Sequence, residues 1–229
     1  MKSFSLIVPA HNSGKVIEKS IREYYNFFSK KFKKIQIIVV CNDCTDNTPK
    51  IIQNLSKKLP VKVIEIPQRG KGYALIAGFN NANGDYIGFL DADNPFNLTK
   101  VLEMINHLES YDIVLASKYL RGTKRVQDSI IRRFLSLGGF IVSKILFNLE
   151  FRDTQAGAKF FKKEVWKEIG NHFTCTGFDF DIEFLYRAKK KKYRFAEKYL
   201  PFKYEKFSTF RLKYLPGMLK RLFVLRFLR

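Results

Sequence analysis

Tyr86-Ile87-Gly88-Phe89-Leu90-Asp91-Ala92-Asp93 decides how this chain is to be read. Five mostly apolar residues make a short buried strand, and two carboxylates stand where it stops. Burying an unpaired carboxylate is expensive, so the pair calls for a cation. Hard oxygen donors suit Mg2+ or Mn2+, ions that keep several waters and bind the phosphate oxygens of a ligand. Asp91 and Asp93 are therefore candidate metal ligands, and a diphosphate is the ligand class they imply. The competing reading makes Asp91 the cap of the next helix and Asp93 the start of a turn before Pro95. For an isolated D-x-D the cap is the commoner case, so the rest of the chain has to decide.

Upstream, Ser3 to Val8 reads as a first strand closed by Pro9, and Ile35 to Val40, β-branched except for Gln36, reads as a buried parallel strand. Val61 to Ile66 is a third strand. Between them, Val16 to Ser29 has helical spacing, with Ile17, Ile21, Tyr24 and Phe28 on one face. Pro49 suits the first turn of a second helix, and Gly72 to Asn81 reads as a third. Strands alternating with helices at this rhythm predict an α/β fold, a mostly parallel sheet with helices on both faces. In such sheets ligands bind beyond the carboxyl ends of the strands. His11-Asn12, Asn42-Asp43, Arg69-Gly70-Lys71 and Asp91-Asp93 each follow a strand, so all four should line one rim.

Downstream, Ile113 to Ser117 reads as a fifth strand and Lys159 to Phe161 as a short one. Ile130 to Leu149 and Phe180 to Ala188 carry helical patterns, and the run Lys189 to Lys192 reads as a solvated helix end. The chain of 229 residues is long enough for one substantial core, read as a domain over 1–212 with a basic, apolar helical tail over 213–229.

Lys and Arg number 42 against 21 Asp and Glu, a net charge of +21, which implies polyanionic surroundings: nucleic acid, an anionic membrane or phosphorylated substrates. The 23 Phe and 11 Tyr among the basic residues suit a membrane surface as well as RNA. Met1 leads directly into a strand pattern rather than a secretory leader, and the charge-free apolar stretch Phe134 to Ser143 is too short to span a bilayer, so a soluble or peripheral protein is expected. Cys41, Cys44 and Cys175 fit a reducing compartment. Cys41-Asn42-Asp43-Cys44 is formally a C-x-x-C, but no second ligand pair accompanies it to make a zinc site.

Taken in order, Val8-Pro9-Ala10-His11-Asn12, Asn42 to Thr48, Arg69-Gly70-Lys71-Gly72 and Phe89 to Asp93 resemble the family 2 glycosyltransferases with a GT-A (Rossmann-like) fold. Asp153-Thr154-Gln155-Ala156-Gly157-Ala158-Lys159 and Gly177-Phe178-Asp179-Phe180-Asp181-Ile182-Glu183 are similar to the dolichyl-phosphate mannosyl- and glucosyltransferase branch. Each motif alone is weak; six in sequence, over roughly residues 3 to 205, are specific.

The resemblance implies a nucleoside-diphosphate sugar held in parts. Pro9, His11, Asn12 and Asp43 are implied at the base, where Asp43 accepts a charge-assisted bond, although an Asx-turn is an equal reading of that residue alone. The family more often carries an aromatic and an acid where this chain has His11 and Ser13, so the resemblance leaves the base unspecified. Arg69, Gly70 and Lys71 are implied at the diphosphate, ahead of a helix N-terminus. Asp91 and Asp93, with Ala92 between them and Asn94 or Asn97 as a further polar ligand, are implied to hold Mg2+ or Mn2+. Lys118 and Arg133 are implied to contact sugar or acceptor phosphates, while solubility suffices for Arg132. Gln155 is implied beneath the sugar pocket and Asp179 as the residue that orients the acceptor; a phosphate acceptor is already ionised and makes little demand for a base.

The expected reaction is inverting transfer of a hexose to a polyprenyl or dolichyl phosphate. UDP-glucose is favoured over GDP-mannose because the Arg69 and Asp153 motifs look closer to the glucosyl branch. A polyprenyl acceptor keeps its tail in the bilayer, so the resemblance also implies a peripheral protein on the cytoplasmic membrane face. Helix 130–149 and the tail are the candidate contacts. The rival readings are a glycan hydroxyl as acceptor, or a basic nucleic-acid-binding module. No zinc-finger, helix-turn-helix or RNA-stacking motif supports the latter, and no nucleic-acid partner is expected.

Overall fold

Alternation along β1 (Ser3–Ala10) sets the architecture. Phe4, Leu6, Val8 and Ala10 point into one apolar layer and Ile7 into the other, all fully or almost fully buried. Sequestering both faces requires helices on both sides. The structure, a computed structural model, describes residues 2–93, 96–117, 141–200 and 215–228.

After β1 come α1 (Ile17–Phe28), β2 (Lys34–Asn42), α2 (Thr48–Ser56), β3 (Val61–Ile66), α3 (Lys71–Asn80), β4 (Tyr86–Leu90), α4 (Leu98–Asn106) and β5 (Ile113–Ser117). Residues 141–147 are helical (α5). They are followed by β6 (Ala158–Lys162), α6 (Lys163–Ile169), α7 (Phe180–Lys190), β7 (Phe195–Tyr199) and α8 (Leu215–Phe227). One seven-stranded sheet runs β3-β2-β1-β4-β6-β5-β7. β1 to β4 are mutually parallel where they pair, and β5 is parallel to β7. β6 runs antiparallel to both of its neighbours, β4 and β5.

The predicted α/β class and mostly parallel sheet are what the structure shows. Helices α1, α2 and α4 bury their apolar stripes on one face, and α3, α6, α7 and α8 on the other. Gly88 lets β6 approach, since a Cβ there would lie 2.2 Å from the Phe160 ring opposite. Three local expectations change. Pro9 lies inside β1, opposite Val40, instead of closing the strand; β4 pairs with β1 only as far as Ile7, so no ladder bond is lost to Pro9 on that side. The described part of the 130–149 helix ends at 147, two residues early. Elements α4, α6 and β7 had no counterpart in the sequence reading.

Candidate active site

The carboxyl ends of β1, β2 and β4 and the turn before α3 converge on one rim. Asn12 and Asp43 both take left-handed backbone conformations, with φ of 50° each, which turns the chain back sharply after β1 and β2. The His11 Nδ1–H donates to Asn42 O at 2.8 Å. Asn12 Oδ1 accepts from Thr45 N (2.8 Å) and Asp46 N (3.2 Å), so this side chain is committed to holding the 43–48 turn. Asn42, nearly buried, ties three loops: with its amide oriented to satisfy both neighbours it donates to Ala10 O (2.9 Å) and accepts from Gly70 N (3.3 Å). The Asp43 carboxylate is partly exposed and lies 4.0 Å from the Arg69 guanidinium. Pro9, His11, Asn12, Asp43, Arg69, Gly70, Lys71, Asp91 and Ala92 are thereby gathered on the rim that the strand-exit rule predicts.

At its centre Lys71 Nζ stands 3.0 Å from Asp91 Oδ1 and 4.7 Å above the Phe89 ring. Burial works against the charge on Lys71, but Asp91, Asp181 and Asp93 outweigh it and leave its pKa raised. The turn is fixed from below by Tyr24, whose hydroxyl donates to Asp91 O at 2.7 Å; burial, then the charges of Asp91 and Asp93, pushes the Tyr24 pKa well up, so it stays a donor. The helix-cap reading of Asp91 fails. α4 starts at Leu98, and its cap is Asn97, whose Oδ1 accepts from Thr99 N and Lys100 N.

A hard divalent cation fits these carboxylates. The Asp91 side chain is one-third exposed, and its Oδ2 faces Gly157, where a Cβ would lie only 1.9 Å away. The glycine thus preserves space beside a carboxylate oxygen. No group of three or more His, Cys, Asp or Glu converges on one point among the described residues. Among the described residues no third such side chain joins Cys41 and Cys44. Those two thiols hydrogen-bond to each other, which pushes Cys41 up and, as the leading cause, brings Cys44 down to about 7.

The acidic run resolves into three separate ion pairs. Asp179, Asp181 and Glu183 are all buried to within 2%. Asp181 Oδ1 sits 2.8 Å from Lys159 Nζ, an ion pair outside hydrogen-bond geometry, and Lys159 is itself buried, its ammonium 5.5 Å from the centre of the Phe89 ring. Glu183 accepts from Thr174 N, Cys175 N and Arg187. Asp179 accepts from Gly177 N (3.0 Å) and is gripped by both Nε (2.6 Å) and Nη2 (3.1 Å) of Arg221, on α8. Asp179 and Glu183 are one helical turn apart, yet they serve different partners. Gln155 Nε2 donates to Phe178 O at 3.0 Å, joining the 153–159 segment to the loop before Asp179. Asn94, Lys118, Arg132 and Arg133 lie outside the described residues. The sequence reading had no role for Tyr24, Lys159, Asp181 or Arg221 at the site. Only Lys159 and Asp181 carried a signal, as charges set among apolar residues.

This arrangement of loops on a mostly parallel sheet can be compared with known proteins. A model described as Glycosyl transferase family 2 matches residues 5–184. The chain belongs to that family. The matched span contains every motif quoted above and stops short of α8. This family 2 chain is 27% identical to a dolichyl-phosphate beta-glucosyltransferase of Trichomonas vaginalis, over 94% of its own length and 67% of the relative's. It is 30% identical to a dolichol-phosphate mannosyltransferase of Pyrococcus furiosus, over 82% of its own length and 53% of the relative's. The chain thus spans about half to two-thirds of these relatives. Its fold matches the crystal structure of glucosyl-3-phosphoglycerate synthase from Mycobacterium tuberculosis in complex with Mg2+ and UDP, with a TM-score of 0.73 at 18% identity, covering 98% of this chain and 79% of that one.

Proposed function

We propose that this family 2 chain transfers a hexose, with inversion, from a nucleoside-diphosphate sugar to a polyprenyl or dolichyl phosphate. The observation that carries the reading is the Lys71–Asp91 pair, with Gly157 kept bare against the second oxygen of Asp91. A largely buried cation beside a partly exposed carboxylate supports a diphosphate held at this point. Relatives named for dolichyl-phosphate glucosyl and mannosyl transfer support the acceptor class. UDP-glucose is the preferred donor on the residues of the Arg69 and Asp153 motifs, with GDP-mannose the alternative.

Asp91 and Asp93 would hold Mg2+ or Mn2+, which when bound supplies Lewis-acid stabilisation of charge on the leaving diphosphate. Neighbours crystallised with Mg2+ or Mn2+ and UDP favour such an ion. Lys71, fixed by Asp91 and desolvated over Phe89, adds a point charge for the same oxygens. His11, Asp43 and Arg69 form the wall available to the base and ribose. The bond from the anomeric carbon to the diphosphate breaks as the acceptor phosphate oxygen bonds to that carbon from the opposite face. That oxygen is already ionised, so no side chain has to take a proton from it.

No described helix is long and apolar enough to cross a membrane. Contact with a cytoplasmic membrane face is proposed through the outer side of α8, where Leu219, Phe223 and Phe227 are about half exposed at four-residue spacing with Lys220 and Arg226 beside them. Exposed Ile141 and Ile145 on α5 are a second apolar contact. Replacing Leu219, Phe223 and Phe227 with serine should abolish binding to anionic liposomes; unchanged binding refutes the contact. For the reaction, calorimetry with UDP and GDP, with and without Mn2+, should show metal-dependent binding that Asp91→Asn and Asp93→Asn remove. Failure of UDP- and GDP-sugars alike to yield a lipid-linked sugar with polyprenyl phosphate rejects the acceptor. Salt-dependent RNA binding without metal-dependent nucleotide affinity would reject the enzyme reading.

A further inference from the structure

We infer that Arg221 on α8 is an anion-binding residue of the acceptor side, and that Asp179 serves it as a positioning residue. This assignment rests on the proposed transfer to a lipid phosphate and names a residue for it. Asp179 is fully buried, and its carboxylate is saturated by Gly177 N and the two guanidinium donors. A side chain in that state cannot touch an acceptor. Its partner can: the Arg221 side chain remains 34% exposed, and the fork to Asp179 uses Nε and Nη2, not Nη1. A guanidinium has five donors in a rigid plane, so one edge can bind a carboxylate while another meets a phosphate.

The location is suited to that task. The loop that leads into Asp179 is joined to the turn before α3. Tyr73 N donates to Thr176 O at 3.1 Å, and Gly70 and Gly72 pack so closely that a Cβ on either would come within 2.7 Å of that same carbonyl oxygen. On its other side Gly177 abuts Arg221: a Cβ there would lie 2.9 Å from Nη2 and 2.9 Å from Asp179 Oδ1. Arg221 therefore sits one loop away from Gly70 and Gly72. It is held by α8, whose Met218, Leu222 and Leu225 are buried in the core and whose outer face carries the exposed Leu219, Phe223 and Phe227. A phosphate whose hydrocarbon tail remains in a bilayer would reach the protein along this helix. One helix thus supplies both an apolar face for the tail and a cation for the head.

The test uses the full chain with Arg221→Lys, Arg221→Ala and Asp179→Asn. Polyprenyl-phosphate KM, Mn2+-dependent UDP affinity and melting temperature are measured for each. The expected result is an acceptor KM raised about tenfold or more in Arg221→Ala, with UDP affinity kept. Arg221→Lys should recover part of the loss, because it restores charge without the fork. Asp179→Asn should raise the same KM, and adding it to Arg221→Ala should cost little more. A lowered melting temperature with an unchanged acceptor KM in Arg221→Lys and Arg221→Ala would make the pair a structural clasp and overturn the inference. Binding of a short, water-soluble isoprenyl monophosphate, followed by phosphorus NMR, is the second readout. It must weaken in Arg221→Lys, the variant that keeps a cation beside Asp179. If the parent binds that probe but transfers no sugar, the proposed reaction fails while the anion site stands; if Arg221→Lys binds it as tightly as the parent, the anion site fails.

Discussion

Gly157→Ala is the sharpest test of the idea that the position of Asp91 matters. The added Cβ would stand 1.9 Å from Asp91 Oδ2 and 2.7 Å from its Cγ, whereas ordinary contact begins near 3.4 Å. Either the carboxylate or the 153–159 segment has to move by about 1.5 Å, an overpacking change that costs roughly 1–3 kcal/mol. Among the described glycines only Gly70 has a positive φ, so alanine at 157 adds no backbone strain of its own. Steric displacement is left as the cause of any effect. Movement of a reacting-site group by about 1 Å costs on the order of a hundredfold in rate. Steady-state kcat, Mn2+-dependent UDP affinity and thermal melting should be followed together. The expected outcome is a fall in kcat of about two orders of magnitude and weakened metal-dependent binding, with a melting point lowered by about 2–12 °C. Parental kcat in Gly157→Ala would refute the reasoning, because it would mean that the Asp91 carboxylate need not stand where it does.

Three further outcomes are expected. Lys159→Met leaves Asp181 buried without its nearest cation and should destabilise the fold by about 3–5 kcal/mol, whereas Lys159→Met with Asp181→Leu should recover most of that in denaturant unfolding. Burial would raise the pKa of Asp112, but hydrogen bonds from Arg194 N, Lys162 and the Arg194 side chain overcome it and hold it at about 2 instead of 3.8. With the folded value depressed, the contribution of Asp112, up to about 2 kcal/mol, is present above pH 3.8 and lost as pH falls toward 2. Asp112→Asn should flatten the melting-temperature profile across that window. Alkylation of Cys44 should rise through a midpoint near pH 7, well ahead of buried Cys41, and bound UDP should slow it; mass spectrometry of modified peptides reads both.

The sequence by itself determined the parallel part of the sheet from β1 to β4 and the rim at its carboxyl edge. Strand and helix periods are local properties, and a polar cluster that follows each strand of a parallel sheet has one edge on which to emerge. That is why His11, Asp43, Lys71 and Asp91 could be placed together before any coordinates were known. α4 was legible in principle, from Asn97 and the spacing of Leu98, Val101 and Ile105, whereas β7 is a half-buried edge strand with weak alternation. Charge pairing was decided by the tertiary structure. Asp179, Asp181 and Glu183 look like one acidic cluster along the chain, but their cations are Arg221, Lys159 and Arg187, and the first two of these come from other elements. Nothing in a window of neighbouring residues specifies which distant cation reaches a buried acid, because that depends on how α8, β6 and α7 pack across the sheet. For the same reason the tail looked like a separate basic segment until its buried Met218, Leu222 and Leu225 set it against the core, with Arg221 beside the acid.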